Sequence, residues 1–430
     1  MNERDLTELL GRHASRHSVP GAAVGILHEG SVAIACHGIA DARTGDPVSK
    51  QTRFAVGSLT KSMVATAIAR LAQSGALSLD DPAARHVPEL HASAWAERAT
   101  VRDLLANRSG LPLRAAWEFG FDTRPEDDDR ALARLVADAA AEPSRNPASD
   151  LWSYSNVGWC VLGRVVEAAA GVTWEEAMRD NLADPAGMEG TAFRAGPLPN
   201  LAAGHEITDD VPVPVDPLAA RAYAPAGASV VSTVTDLLRF AALHLEDPSL
   251  AFLRTVHADI SIHGWLDSWC LGWAWFDWLG GPVWGWDGLT NGQRSVLRIV
   301  PEHQAAIALL TNCGTGRAMY RPLLAKLMSP LGIGVPPLNL QSRPGAGGDL
   351  SRFVGTYSWP DRRIDVAAAT DGLLIDSGNG PTVAKPLDGR TFLVDAADPD
   401  TPAVTFGAPD ASGRPRVLYD MLWGLPRQDL

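Results

Sequence analysis

The spacing of apolar and polar residues predicts helices and strands in a mixed order along the chain. Residues 3–16 show the period of an amphipathic helix. Two apolar runs, 22–30 and 31–37, predict a β-hairpin that turns at residues 29–30. Residues 63–72 are almost wholly apolar, which predicts a helix that is buried on all sides.

The middle of the chain is predicted to be a helical insert between strands. Residues 100–225 are mostly helical in pattern, with breaks at Pro and Gly, and residues 229–245 predict a further helix with a capping region at 232–236. Strand-like runs then return at 271–276, 295–300 and 305–311. Two strands, a helical insert and three more strands indicate one α/β domain with a helical subdomain.

The C-terminal part of the chain has a different pattern. Residues 334–350 are rich in Pro and Gly and predict a linker. Short strand-like runs follow at 354–357, 363–366, 372–376, 391–394, 403–406 and 416–419. We therefore predict a domain at 1–333, a linker at 334–350 and a small all-β, barrel-like domain at 351–430.

Composition and charge narrow the possible partners. The 430 residues are 46% hydrophobic and 20% charged, which is typical of a globular protein, and the net charge is −13. A negative protein is a poor partner for nucleic acid or for an anionic membrane, because both are polyanions. The N-terminal residues contain no apolar segment of the kind found in signal peptides, so we expect a cytoplasmic location.

The cysteines give no sign of a metal site or of a disulfide framework. Four of them are widely separated and form no CxxC pair: Cys36, Cys160, Cys270 and Cys313. We expect neither a metal nor another cofactor.

Ser58 and Lys61 are the first candidate catalytic pair. Lys61 is one of only four lysines among 37 basic residues. A desolvated lysine can become a neutral base, which arginine cannot, and residues three apart share one face of a helix. Ser58 would then be a nucleophile that Lys61 activates. The alternative is a helix-capping Ser58 beside a solvated Lys61.

Tyr154 and Asn156 form a second candidate group. Tyr154 could relay a proton if a nearby cation lowers its pKa, and Asn156 offers both a donor and an acceptor to an amide. Each also has an ordinary interpretation, Tyr154 as a half-buried core aromatic residue and Asn156 as a turn residue.

Together these motifs resemble the serine β-lactamase and penicillin-binding-protein family, in its class C β-lactamase, D-aminopeptidase and esterase branch. Ser58-x-x-Lys61 matches the first motif of that family and Tyr154-x-Asn156 the second. The resemblance extends over about residues 5–330 and implies an antiparallel sheet flanked by helices, with a helical subdomain. Within the family the chain is most similar to stand-alone penicillin-binding-protein-type thioesterases, which join this domain to a small lipocalin-like β-domain.

The third motif of the family departs from its usual sequence. A basic residue that binds substrate carboxylates is replaced here by Trp286, in Trp286-Asp287-Gly288. By the resemblance, the backbone N–H groups of Ser58 and Leu289 would form the oxyanion hole. Asp287 is expected to bind a substrate amine or to satisfy the local backbone. Gly288 lets the strand approach the acyl group closely.

Two further residues near the third motif are candidates for substrate binding. Arg294 is the nearest replacement for the missing cation. Trp284 and Trp286 belong to a tryptophan cluster that packs a core or lines an apolar cleft. The cluster has seven members: Trp265, Trp269, Trp273, Trp275, Trp278, Trp284 and Trp286.

The resemblance implies acyl transfer through an ester on Ser58, and three functions compete. In the first, an amine of the substrate resolves the acyl-enzyme and cyclises a nonribosomal peptidyl thioester, which a carrier protein could deliver. In the second, water resolves it, which makes the protein an esterase or a D-amino-acid amidase. In the third, the domain is a binding module without catalysis.

We predict that Lys61→Arg lowers the rate of acylation nearly as much as Lys61→Ala does, because arginine keeps the charge and cannot act as a base. The rate of Ser58 labelling by an activated ester measures this. If Lys61→Arg labels at close to the native rate, Lys61 acts only through its charge, and Tyr154 becomes the first residue to test as the base.

Overall fold

The computed structural model describes residues 2–111, 128–140, 151–193, 198–218, 220–338, 341–359, 362–394 and 403–428. The helices in these ranges are α1 (Glu3–Arg16), α2 (Thr60–Gln73), α3 (Ala83–His86), α4 (Val101–Leu105), α5 (Ala131–Ala140), α6 (Asn156–Ala170), α7 (Trp174–Met178), α8 (Val234–Glu246) and α9 (Gly316–Met328). None of the helices in the described part of the chain is long and apolar enough to cross a bilayer.

The strands divide into two large sheets and two small ones. The first part of the chain contains β1 (Gly21–His28), β2 (Ser31–Gly38), β3 (Phe54–Ala55), β4 (Gly204–Thr208), β5 (Val211–Val215), β6 (Val231–Ser232), β7 (Ala258–Ile262), β8 (Leu266–Trp269), β9 (Ala274–Trp278), β10 (Gly281–Thr290), β11 (Gln293–Val300) and β12 (Ala305–Thr311). The C-terminal part contains β13 (Gly355–Trp359), β14 (Arg362–Ala369), β15 (Gly372–Asp376), β16 (Thr382–Pro386), β17 (Thr391–Leu393), β18 (Ala403–Phe406), β19 (Val417–Asp420) and β20 (Trp423–Pro426).

The first large sheet is antiparallel and has the strand order β2-β1-β12-β11-β10-β9-β8-β7. Its central strands are fully buried, as β11 and β12 show along their whole lengths, and β12 is apolar up to Thr311. Helix α8 packs against β1 and β12, while α1 and α9 contact each other and the sheet. The long insert between β2 and β7 carries α2 to α7, with α2 and α6 packed together. This confirms the predicted α/β domain with a helical subdomain.

The second large sheet is an eight-stranded meander in which each strand pairs with the next, from β13 to β20. Tyr357 pairs with Arg427, and Gln428 N–H donates to Thr356 O at 2.9 Å, so the last strand returns to the first. The result is a nearly closed barrel, which confirms the predicted lipocalin-like C-terminal domain. Its interior holds an aromatic cluster that includes Phe353, Phe392 and Phe406.

Several elements differ from the prediction in detail. The β4–β5 hairpin lies in the region predicted as mostly helical, while 112–127 and 141–150 of that region lie outside the described residues. The predicted strand-like runs do not include β7 and β8, which are only five and four residues long, or β10, whose pattern is interrupted by Pro282 and three glycines and which is expected only from the family resemblance. In the barrel, β16 and β20 were missed because Pro386 ends the first, and Gly and Pro interrupt the pattern of the second.

Candidate active site

Ser58 lies in a tight turn that is held by the backbone of three segments. The turn Gly57–Leu59 leads from β3 into α2. Gly57 has φ +53°, and a Cβ atom there would lie 2.6 Å from Leu289 N. Gly227 packs on the other side of the turn, where a Cβ would lie 2.8 Å from Ser58 N. The turn thus requires glycine at both positions because it is enclosed by backbone.

The alternative in which Ser58 caps the helix is wrong. Helix α2 begins at Thr60, its N-cap residue is Leu59, and no side chain makes a capping hydrogen bond. Ser58 instead lines the cleft and directs its hydroxyl towards Lys61. The turn therefore exposes Ser58 Oγ to a substrate.

Lys61 is completely buried in α2, which rules out the alternative of a solvated lysine. Its Nζ lies 3.0 Å from Ser58 Oγ and also donates a hydrogen bond to Ala226 O. Burial lowers the pKa of Lys61 to about 7, because the charged form loses its hydration and no carboxylate compensates for it among the groups that influence it. A large share of Lys61 is therefore neutral near pH 7 and can accept the proton of Ser58.

Tyr154 is a buried phenol in contact with both members of this pair. Its hydroxyl is hydrogen-bonded to the Ser58 side chain, and Lys61 Nζ lies 4.8 Å from the centre of its ring. Burial raises the pKa of Tyr154 above its ordinary value, and the hydrogen bond that Trp286 donates to its hydroxyl only partly opposes this. The sequence analysis considered a cation that lowers the pKa of Tyr154, but the surroundings raise this pKa. Tyr154 therefore stays protonated.

Trp286 fixes the direction of the hydrogen bonds in this group. Its Nε1–H donates to Tyr154 Oη at 3.2 Å. Since an indole N–H can only donate, Tyr154 Oη accepts there and keeps its own proton for Ser58 Oγ. When Lys61 is neutral, the Ser58 proton can point to Nζ. The hydrogen bonds then form a series in which Trp286 donates to Tyr154, Tyr154 donates to Ser58, and Ser58 donates to Lys61.

The loop that carries Tyr154 and Asn156 is anchored from two sides. Ser153 N–H donates to Asn107 O at 3.0 Å, and Tyr154 N–H donates to Leu422 O of the barrel at 3.1 Å. Helix α6 then begins at Asn156, with Ser155 as its cap. Asn156 is half-buried and lines the same cleft as Ser58.

Strand β10 forms the opposite wall and reaches the Ser58 turn at Gly288. A Cβ atom at Gly288 would lie 1.9 Å from Val56 O, so only glycine allows this approach. Leu289 follows, and its N–H is brought beside the Ser58 turn, as the predicted oxyanion hole requires. Among the described strands, β9 pairs with β10 only as far as Gly285, so the edge of β10 from Trp286 onwards borders the cleft.

The main contacts of Asp287 are with neither a substrate amine nor the local backbone, the two partners that the sequence predicts. Its Oδ1 accepts from Arg298 Nη1 at 2.6 Å and its Oδ2 accepts from Tyr320 Oη at 2.8 Å. Burial by itself would raise the pKa of Asp287, and Arg298 and these hydrogen bonds lower it overall. The carboxylate is therefore charged and already paired at one side of the cleft.

The other two predicted binding residues differ in position. Arg294 lines the cleft and its Nε–H donates to Gly314 O at 2.6 Å. Trp284 donates its Nε1–H to Arg254 O at 3.0 Å and lies outside the residues that line the cleft. The prediction that Trp284 contacts substrate thus has no support in the geometry.

The cleft has a volume of about 370 Å³. It contains several residues that the sequence did not identify: Glu206, Tyr223, Arg317, Tyr320, Met421, Leu422 and Trp423. Of the seven clustered tryptophans only Trp265 and Trp286 line it, while Trp269 and Trp273 are fully buried in the core. Met421, Leu422 and Trp423 come from the barrel. The apolar pair Met421-Leu422 is a sequence signal for them, since two-residue hairpin turns usually contain Asn, Asp or Gly.

Comparison with known proteins gives matches over most of the chain. A family model described as Beta-lactamase matches residues 4–327. Penicillin-binding protein 4 of Amycolatopsis lactamdurans is 33% identical over 375 residues, which is 80% of this chain and 94% of that protein. Esterase EstB of Burkholderia gladioli is 36% identical over 170 residues, 36% of this chain and 42% of EstB. The crystal structure of SurE has a TM-score of 0.81 and 27% identity over 99% of both chains, and SurE was also determined with D-Leu.

We predict that the rate of Ser58 acylation rises with pH around a midpoint near 7. Below that value Lys61 is protonated and cannot accept the Ser58 proton, and above it the amine is neutral. The rate should not fall again on the alkaline side, because the raised pKa of Tyr154 keeps the phenol protonated. Stopped-flow measurement of the acylation burst with a chromogenic ester tests this, and a rate that is constant across neutral pH would contradict it.

We also predict that Trp286→Phe slows acylation by about tenfold, the cost of one hydrogen bond to a catalytic group. Phenylalanine keeps an aromatic ring in the pocket and removes only the N–H donor to Tyr154. Trp273→Phe is the matched control, because Trp273 stacks on Phe240 in the core. Equal acylation rates in Trp286→Phe and Trp273→Phe, at similar unfolding temperatures, would show that the indole N–H has no part in catalysis.

Proposed function

This chain belongs to the β-lactamase family, and we propose that it is a serine acyltransferase that cyclises a peptidyl thioester. The observation that carries the proposal is the complete group of Ser58, Lys61 and Tyr154 in contact beside a mainly apolar cleft. A binding module without catalysis has no use for a buried neutral lysine beside a serine. The catalytic interpretation is therefore preferred over that alternative.

In the proposed first step, Ser58 Oγ attacks the carbonyl carbon of the thioester and Lys61 takes its proton. The carbon–sulfur bond breaks, and the leaving thiolate takes that proton from Lys61. Tyr154 donates a hydrogen bond to Oγ throughout, and the N–H groups of Ser58 and Leu289 hold the carbonyl oxygen.

In the proposed second step, an amine of the same peptide attacks the acyl carbon and gives a proton to Lys61. The bond from that carbon to Ser58 Oγ breaks, and Lys61 returns the proton to Oγ. The products are a cyclic amide and the original enzyme. No other proton donor or acceptor is needed.

Three observations support an amine as the acceptor. By the family resemblance Trp286 stands where a cation is usual, and its only donor, the indole N–H, is used by Tyr154, so this side chain offers no charge to a carboxylate and no free donor to water. SurE, which aligns over 99% of both chains, was determined with D-Leu, an apolar amino acid. The lining also includes Trp265, Leu289 and Trp423, which favours an apolar acyl chain and disfavours water.

Hydrolysis is the second candidate function. The similarity to esterase EstB, 36% identity over 170 residues, favours it. The same acyl-enzyme would then be resolved by water, with Lys61 as the base for that water. The two functions share the first step and differ only in the acceptor.

The test is incubation with a synthetic peptidyl thioester that carries a free N-terminal amine, followed by mass spectrometry. We expect cyclic product, and Ser58→Ala should form neither product nor acyl-enzyme. A linear acid alone would establish the hydrolase. An acetylated N-terminus is the control, because it blocks cyclisation and leaves acylation unchanged.

A further inference from the structure

The β19–β20 hairpin of the barrel reaches into the cleft of the catalytic domain. Its turn is Met421–Leu422, with φ +54° at Met421. Residues 422–427 are all buried, although hairpin turns are usually exposed. Three successive residues of this hairpin tip, Met421, Leu422 and Trp423, line the same cleft as Ser58. The apolar tip is therefore covered by the catalytic domain on one side and borders the cleft on the other.

The hairpin tip is fixed from both domains. Leu422 O accepts from Tyr154 N–H at 3.1 Å, and Gly424 N–H donates to Ser153 Oγ at 3.2 Å. A Cβ atom at Gly424 would lie 2.4 Å from Trp152 O, so the strand lies directly against the catalytic loop.

On the barrel side, Arg362 forms an ion pair with Asp420, next to the turn. The same guanidinium lies 5.4 Å from the centre of the Trp423 ring. The position of the tip relative to Ser58 is thus set by contacts on two sides, as selection between substrates requires.

The side chains of the tip are apolar. The charged residues of the cleft belong to other elements, with Asp287 on β10, Arg294 on β11, Arg317 on α9 and Glu206 on β4. A polar side chain placed against the tip would lose its water and gain no partner from the side chains of Met421 and Leu422, which costs free energy. An apolar side chain there would gain from burial.

We propose that the hairpin tip determines specificity, and that Met421, Leu422 and Trp423 bind an uncharged, apolar side chain on the substrate residue that carries the reacting carbonyl. The inference rests on the proposed function and names its substrate class. It also gives the C-terminal barrel a part in the reaction, because the cleft lacks one wall without it.

The test measures binding in the Ser58→Ala background, so that no reaction interferes. The ligands are N-acetyl amino-acid amides of both configurations with Ala, Leu, Phe or Glu side chains, studied by calorimetry. We expect tighter binding of Leu than of Ala or Glu. Met421→Gly, which removes the side chain and suits the positive φ, should reduce the preference for Leu over Ala by about tenfold.

Two further variants make the result decisive. Glu29→Gly is the matched control, because Glu29 also has a positive φ, +47°, in a two-residue hairpin turn outside the cleft lining, and it should leave the preference unchanged. Met421→Lys should make the Glu ligand bind more tightly than in the parent, which tests the position even if Met421→Gly does not fold.

The proposal is overturned if the parent shows no apolar preference, or if both Met421 variants keep the ranking of the parent. Labelling of native Ser58 by an activated ester is measured separately. Absence of labelling would refute the acyl-enzyme and leave the binding result standing, so the two proposals can fail independently.

Discussion

The desolvation of Lys61 is the constraint on which the rest of the site depends. The amine must touch Ser58 and yet be shielded from water, because only then is a large share of it neutral near pH 7. That condition requires α2 to be buried around Lys61, and α6 together with the Arg221–Ala226 segment provides the cover. The helical insert is thus the source of the chemistry as well as a packing unit.

The sequence predicted the parts of the molecule that depend on local pattern. The helix at 3–16 has a clear helical period, and the first hairpin and the strands β11 and β12 contain long β-prone apolar runs, so tertiary contacts did not alter them. The contact between Ser58 and Lys61 was predictable because the two residues are three positions apart, a spacing that a helical turn converts into contact.

The remainder could not be predicted because it depends on residues far apart in sequence. The bond between Trp286 and Tyr154 joins positions separated by 132 residues, and the ion pair of Asp287 with Arg298 requires the β10–β11 register. The raised pKa of Tyr154 follows from burial that no local motif records. For the same reason Trp284 was assigned to the cleft, although its indole bonds to Arg254 O.

The three glycines around Ser58 have a consequence for how such a protein can change. Gly57, Gly227 and Gly288 leave no space for side chains, so the surface that we propose to polarise the carbonyl is made of peptide backbone. Substitutions elsewhere can reshape the apolar walls without altering that surface. New acyl donors can therefore be accommodated by exchanging wall residues, including those on the separate barrel, while the means of activating the carbonyl is inherited unchanged. For protein engineering, the walls are the variable part of this molecule and the glycine turn is the invariant part.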